Sequence, residues 1–195
     1  MFPTTVWSTI RQAGEHDVEA LHRFAERYRP AILDFIRRRG FAAGDAEDVC
    51  QDVFLRLFSS AVLAKADPAR GRLRSLLLTI TSNVISDHGR QTKRQLDIRP
   101  LQSEPAERDP DFDRAWVLHL AETAMGQLEE EGSSYYQVLR DHLSGQRQDR
   151  KQLWHARRKL IAAIRREIAM TCSSYREFEE EVAYLSPYLR PEKKT

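Results

Sequence analysis

Three groups of polar residues in this 195-residue sequence have the types and spacing to bind a partner. Glu47, Asp48, Gln51 and Asp52 recur at three- and four-residue intervals. A helix through them gathers carboxylates and an amide on one face, beside Arg56. Such a face suits a partner helix carrying Arg and Lys; the plain alternative is a solvated helix face. Further on, Arg70, Arg72 and Arg74 precede, and Arg90, Lys93 and Arg94 follow, a run containing Thr79, Ser82, Asn83, Ser86, Asp87 and His88. A basic rim around short hydrogen-bonding groups fits phosphates and bases at close range, against the alternative of a soluble helix with flanking arginines. Arg147, Arg150, Lys151, Arg157 and Arg158 accompany an apolar stripe of Leu153, Leu160, Ile161, Ile164 and Ile168. They are either a second DNA-facing set or the wet side of a packed helix.

Catalysis finds little in the residues. The six histidines are scattered, and there is no His-Glu-x-x-His spacing, no paired-cysteine spacing and no glycine-rich loop to cradle phosphates. His119 and Glu122 fall on one helix face, where such a pair is ordinarily a surface contact. No catalytic residue, metal or cofactor is therefore expected, and the chain reads as a binding protein, not an enzyme.

Composition sets the frame. Apolar residues make up 41% of the chain, enough for real cores. The 31 Lys+Arg and 29 Asp+Glu nearly cancel, but they are segregated along the sequence. Residues 70–99 hold seven basic and two acidic side chains, and residues 147–168 hold eight and two. Between them, residues 101–131 carry nine acidic and two basic ones. Two polyanion-facing surfaces with an acidic spacer would produce that alternation. Cys50 and Cys172, far apart in sequence, fit reduced packing residues better than a disulfide. No run approaches the length of a membrane span and no cleavable leader is evident, so a cytoplasmic protein with no membrane partner is expected.

The elements that position these groups follow from periodicity. Strand signals are nearly absent, and apolar residues recur every three or four positions through most of the chain. One helix is expected from about His16 to Arg39, kinked or divided by Pro30 and stopped by Gly40. Another begins after Asp45, a candidate N-cap, and runs to about Phe58. Residues 67–71 form a turn, and a third helix with Leu73, Leu76, Leu77, Ile80 and Val84 inward ends near Arg94. From 95 to 113 the periodicity lapses among Pro100, Pro105 and Pro110, which reads as a linker. Helices resume at Arg114 to Glu130, Tyr135 to Leu143, about Gln148 to Met170, and Tyr175 to Leu185. The expected fold is all-α: two small helical domains, 15–94 and 114–185, joined by a flexible linker at 95–113, with a tail at 186–195.

The order Ala-Glu-Asp-Val-Cys-Gln-Asp-Val-Phe-Leu-Arg-Leu-Phe over residues 46–58, a turn, then Gly-Arg-Leu-Arg-Ser-Leu-Leu-Leu-Thr-Ile-Thr-Ser-Asn-Val-Ile-Ser-Asp-His-Gly-Arg-Gln-Thr-Lys-Arg over residues 71–94, resembles region 2 of the extracytoplasmic-function (group 4) sigma factors of bacterial RNA polymerase, in the sigma-70 family. The run from Leu21 to Pro30 resembles that region's first helix. The resemblance implies that the acidic helix docks on the clamp coiled coil of the polymerase's largest subunit through Asp48, Gln51 and Asp52, with Arg56 adjoining. It implies that the next helix opens the promoter minus-ten element, with Arg72, Arg74, Asn83, Asp87, Arg90, Lys93 and Arg94 near DNA. Many members carry aromatic residues at Leu73 and Leu76; both positions fit the apolar face here and read as core. Core RNA polymerase and promoter DNA are the implied partners, and the family leaves room for an anti-sigma factor.

Residues 151–168 resemble the recognition helix of the family's region 4, which reads the minus-thirty-five element through a helix-turn-helix. That assigns Arg147, Arg150, Lys151, Arg157 and Arg158 to DNA. Only residues 144–150 separate this helix from the one before it, too few for the usual extra helix. Either Tyr135–Leu143 has taken that role with Ser144 and Gly145 as the turn, or the motif is a shortened, degenerate one. The function implied is a promoter-specificity subunit. The alternative is a sigma-like regulatory or interaction protein that binds polymerase without a working minus-thirty-five reader. A stand-alone DNA-binding module, in which the acidic patch is dispensable, is a third reading.

Overall fold

The structure, a computed structural model, describes residues 18–59, 72–96 and 108–189; for 91–96 it describes the backbone alone. Among these residues the fold is all-helical, with seven helices: α1 (Val18–Arg38), α2 (Ala43–Leu57), α3 (Leu73–Leu96), α4 (Pro110–Glu130), α5 (Ser134–Leu143), α6 (Arg150–Met170) and α7 (Tyr175–Leu185). The turn at 67–71 and Arg70 lie outside the described residues, as do most of the expected linker and the end of the tail.

α1 passes through Pro30 without dividing. Pro30 sits on the exposed side, where water can satisfy the carbonyl that loses its donor, while Phe24, Tyr28, Ile32, Phe35 and Ile36 keep one buried face on either side of it. Gly40 ends the helix at φ +90, a conformation that favours glycine, and its N–H donates to the Arg37 carbonyl. α2 starts two residues before the expected cap. Asp45 therefore lies inside the first turn, where its charge complements the helix N-terminus, and the cap position falls to Ala42.

α4 opens four residues before the expected start at Arg114. Asp109 caps α4, its carboxylate accepting from the backbone N–H groups of Asp111 and Phe112 at 3.0 and 3.3 Å, and Pro110 occupies the first turn. An Asp cap followed by a proline with preset φ is a helix start. The early start places Phe112 and Asp113 in the interior.

α1, α2 and α3 enclose a core of Phe24, Ile32, Ile36, Val49, Val53, Leu57, Leu73, Leu77 and Val84. Leu73 is fully buried and Leu76 packs against this core, as expected for the two positions. α4 lies along the opposite side of α1. Tyr28 stacks on Trp116 with centroids 5.5 Å apart, and Phe35 meets Phe112 edge to face at 5.1 Å. The core continues through Ala163, Ile164 and Ile168 of α6 to Phe178 and Leu185 of α7. A second, smaller cluster of Leu128, Leu139 and Ala156 joins α4, α5 and α6.

Four arginines in or beside the first three helices reach carboxylates in or beside the later ones: Arg27 to Glu167, Arg39 to Asp109, Arg72 to Glu180 and Glu181, and Arg74 to Asp113 and Glu181. Part of the acidic excess around residue 110 is thus spent on the partner helices, not on solvent. Both cysteines are buried and reduced; burial pushes the Cys50 thiol up to about 11 and the Cys172 thiol up to about 12.

His119 is not a surface partner of Glu122. It is buried beside the Tyr28 and Trp116 rings, while Glu122 is exposed. Burial first, and then the Arg27 charge, pull its pKa from the ordinary 6.5 down to about 4. The folded protein therefore holds His119 neutral over a range where the unfolded chain protonates it. Stability is complete above the unfolded value and falls as pH drops from about 6.5 to about 4, by roughly 3 kcal/mol from this group. Denaturant unfolding of the native chain and His119→Leu at about pH 7 and about pH 4.5 checks this, since the variant should lose most of the acid-side decline. An unchanged decline would assign it to other groups.

Candidate partner and nucleic-acid interface

α2 buries Ala46, Val49, Cys50, Val53, Phe54 and Leu57, which turns Asp48, Gln51 and Asp52 outward on the opposite face. Glu47, counted in the same patch from the sequence, turns toward α1 instead and pairs with Arg29 and Arg37. The exposed stripe holds one residue that charge reasoning missed. Leu55, one turn beyond Gln51 and Asp52, is 64% exposed. Its signal was present in the sequence: it falls out of register with the buried stripe of Val53, Phe54 and Leu57.

α2 and α3 are tied along their polar edges. His88 lies 2.7 Å from Asp52, Arg56 donates to Asp87 at 2.8 Å, and Arg90 donates to the other Asp87 oxygen at 2.7 Å. The hydrogen bonds from Arg56 and Arg90 hold the Asp87 carboxyl below its ordinary range. Asp87 therefore sits between two guanidinium groups, both exposed, and Asn83 is exposed one turn before it. Spacing of four and three residues puts Asn83, Asp87 and Arg90 on one stripe of α3. Thr79 and Ser86, expected to offer hydroxyls to a ligand, donate them to the Ser75 and Ser82 carbonyls of their own helix. The side chains of Lys93 and Arg94 lie outside the described residues.

Arg74 departs most from its expected place. It is 2% exposed and faces the interior, donating to Asp113 of α4 and Glu181 of α7 at 2.7 Å each, beneath the Tyr184 ring at 4.4 Å. Desolvation works against the charge, but Glu181 and then Asp113 keep its pKa above the ordinary arginine value. The side chain shares the interior with its apolar neighbours Leu73 and Leu77, so in this fold it serves as an internal tie, turned away from the surface where DNA was expected. Arg72, just before α3, is half-buried and pairs with Glu180 at 3.0 Å and Glu181 at 3.1 Å.

On α6, Arg147 in the preceding loop and Arg150, Lys151, Arg157 and Arg158 on the helix are all exposed. Arg157 reaches His142 of α5 at 3.0 Å, and Arg158 lies over the Trp154 ring at 4.7 Å. Trp154 is 52% exposed, and Ile161, expected in the packing stripe, is 57% exposed. The connection from Ser144 to Asp149 contains no helix and turns at Gly145 with φ +84, so α5 is the element preceding α6. No group of His, Cys, Asp and Glu among the described residues could hold a metal ion. No described helix is long and apolar enough to cross a membrane.

Residues 24–95 match the family model of Sigma-70 region 2. The region 2 match covers more than a third of the chain. It begins at Phe24 in α1, contains all of α2 with its acidic stripe, and ends at Gln95 in α3. It supports a sigma-factor role in the initiation of transcription. No curated protein and no solved structure matches the chain.

Proposed function

We propose that this protein is an RNA polymerase sigma factor of the extracytoplasmic-function type, which brings core polymerase to promoters and opens their minus-ten element. One observation carries the reading. Within the region 2 match, α2 turns Asp48, Gln51, Asp52 and Leu55 outward while its whole apolar face is used in the core. Among the described residues the core does not use that stripe, whose tie to a neighbouring helix is the contact of Asp52 with His88, and a basic helix of the polymerase clamp is complementary to it. Beside it, the exposed Asn83 and Arg90 and the half-buried Asp87 form a polar stripe suited to an unstacked strand, with Arg56 fixing Asp87. Extruding a base costs a few kcal/mol, which a shaped polar site with nearby cations can offset. The partners are then core RNA polymerase and promoter DNA, with an anti-sigma factor as a competitor for the same faces, and the protein acts by binding alone.

The minus-thirty-five element would fall to α6, through Arg147, Arg150, Lys151, Arg157 and Arg158. The absence of any helix between Ser144 and Asp149 favours a second reading, a sigma-like regulator that binds polymerase without reading that element. Footprinting the polymerase complex on promoter DNA separates the two, by whether protection extends to the upstream element.

The test of the main reading is equilibrium binding to purified core polymerase. The native chain should bind tightly. Leu55→Ala, which removes an exposed side chain and leaves the core intact, should bind about tenfold more weakly, the scale of one buried leucine. A native chain that is folded and does not bind polymerase would rule out the sigma-factor reading.

A further inference from the structure

α7 carries Glu177, Glu179, Glu180 and Glu181 within a single short helix, and two of the four clasp the basic entry to α3. Glu180 takes Arg72, and Glu181 is shared between Arg72 and Arg74. A guanidinium binds carboxylate and phosphate through the same planar donor fork, so Arg72 cannot hold Glu180 and Glu181 and a DNA phosphate in that geometry together. We propose that α7 is an internal acidic ligand of α3: it occupies Arg72 in place of a DNA phosphate, and DNA binding at that end of α3 requires α7 to leave. The inference rests on the DNA-facing reading of α3 above.

Two features make α7 the element that can depart. Only Phe178 and Leu185 among its apolar residues are fully interior, Val182 and Tyr184 reach the core half-buried, and it joins α6 through the short turn 171–174. Its seat is also imperfect. The second Glu181 oxygen is buried without a hydrogen bond, since its contact with Arg72 at 3.1 Å lacks the geometry of one. Departure does not strand Arg74, because Asp113 of α4 still holds its other nitrogen at 2.7 Å. α4, by contrast, is fixed by Phe112 and Trp116, both fully buried.

Equilibrium binding of a short labelled single-stranded oligonucleotide to the full chain tests this, followed by fluorescence anisotropy across a salt series. Glu180→Gln together with Glu181→Gln should bind about five- to tenfold more tightly than the native chain, the scale of charge-assisted pairs made newly available to the strand. The slope of log affinity against log salt should steepen by about 0.7 for the one arginine released. Adding Arg72→Ala should abolish the gain. Glu179→Gln, which removes the same charge from a side chain paired with Arg165, should give none. Glu180→Gln alone alters an exposed side chain and should show part of the gain with the fold untouched. Amide hydrogen exchange across 175–185 should quicken when the oligonucleotide saturates the native chain. Unchanged affinity in the glutamate variants, a gain that survives Arg72→Ala, or an equal gain from Glu179→Gln overturns the cover and leaves DNA binding by α3 standing. Failure of every form to bind the strand overturns the cover and the DNA-facing reading of α3 together. Binding to polymerase, measured separately, judges the clamp contact in either case.

Discussion

Reversing two charges, Asp48→Arg with Asp52→Arg, is expected to weaken binding to core polymerase at least about a hundredfold while leaving the fold at native stability. Both side chains are exposed on α2 and neither supports the core. Asp48 has no ion pair among the described residues, and Asp52 meets only the half-buried His88, a contact of little stabilising value in water. Against a basic clamp helix the variant places like charges in contact, which costs several kcal/mol and also removes electrostatic steering. The loss should therefore fall on the association rate as well as on the lifetime, and it should shrink at high salt. Binding titrations at two ionic strengths, with circular dichroism melts of both proteins, check it. A double variant that binds polymerase as the native chain does would remove α2 from the interface.

The second large effect is one of stability. Arg74→Met should lower the unfolding free energy by about 3–5 kcal/mol, the cost of leaving buried charge without its partner. Asp113 and Glu181 both lie in the interior and both take hydrogen bonds from this guanidinium, Glu181 pairing also with the half-buried Arg72, and the Tyr184 hydroxyl donates to Asp113 from the other side. Arg72→Ala, at the partly wet end of the same network, should cost under about 1 kcal/mol. Replacing the triad together, by Arg74→Met, Asp113→Leu and Glu181→Leu, should recover most of the loss, because no buried charge then lacks compensation. Urea unfolding monitored by circular dichroism measures all three. If Arg74→Met is as stable as the native chain, the network does not hold α3, α4 and α7 together.

These two results probe different parts of what the sequence made visible. Helix positions were legible because an amphipathic period repeats within each segment, and α1, α2 and α3 need only that local pattern. The acidic stripe of α2 was legible for the same reason, since burying Val49, Val53 and Leu57 forces Asp48, Gln51 and Asp52 outward. Leu55 and Trp154 carry a signal of the same kind, an apolar residue off the buried register. Helix starts were less legible. Asp109 and Pro110 look like loop residues until the cap geometry shows them opening α4.

By itself the sequence determined the helices, the outward acidic face of α2 and the alternation of basic and acidic blocks, because each depends on residues near one another along the chain. Only the tertiary structure decided which charges meet. Arg74 and its carboxylates are separated by 39 and 107 residues, and no local spacing records such a pairing. Its burial turned an expected DNA contact into an internal tie, and the same packing set Glu180 and Glu181 against Arg72. Likewise His119 became an interior residue only when α4 lay against α1 and Trp116 stacked on Tyr28. The physical reason is common to these cases. A charged or aromatic side chain has the same local preferences at a surface and in a core, and the neighbours brought from distant sequence determine which of the two it occupies.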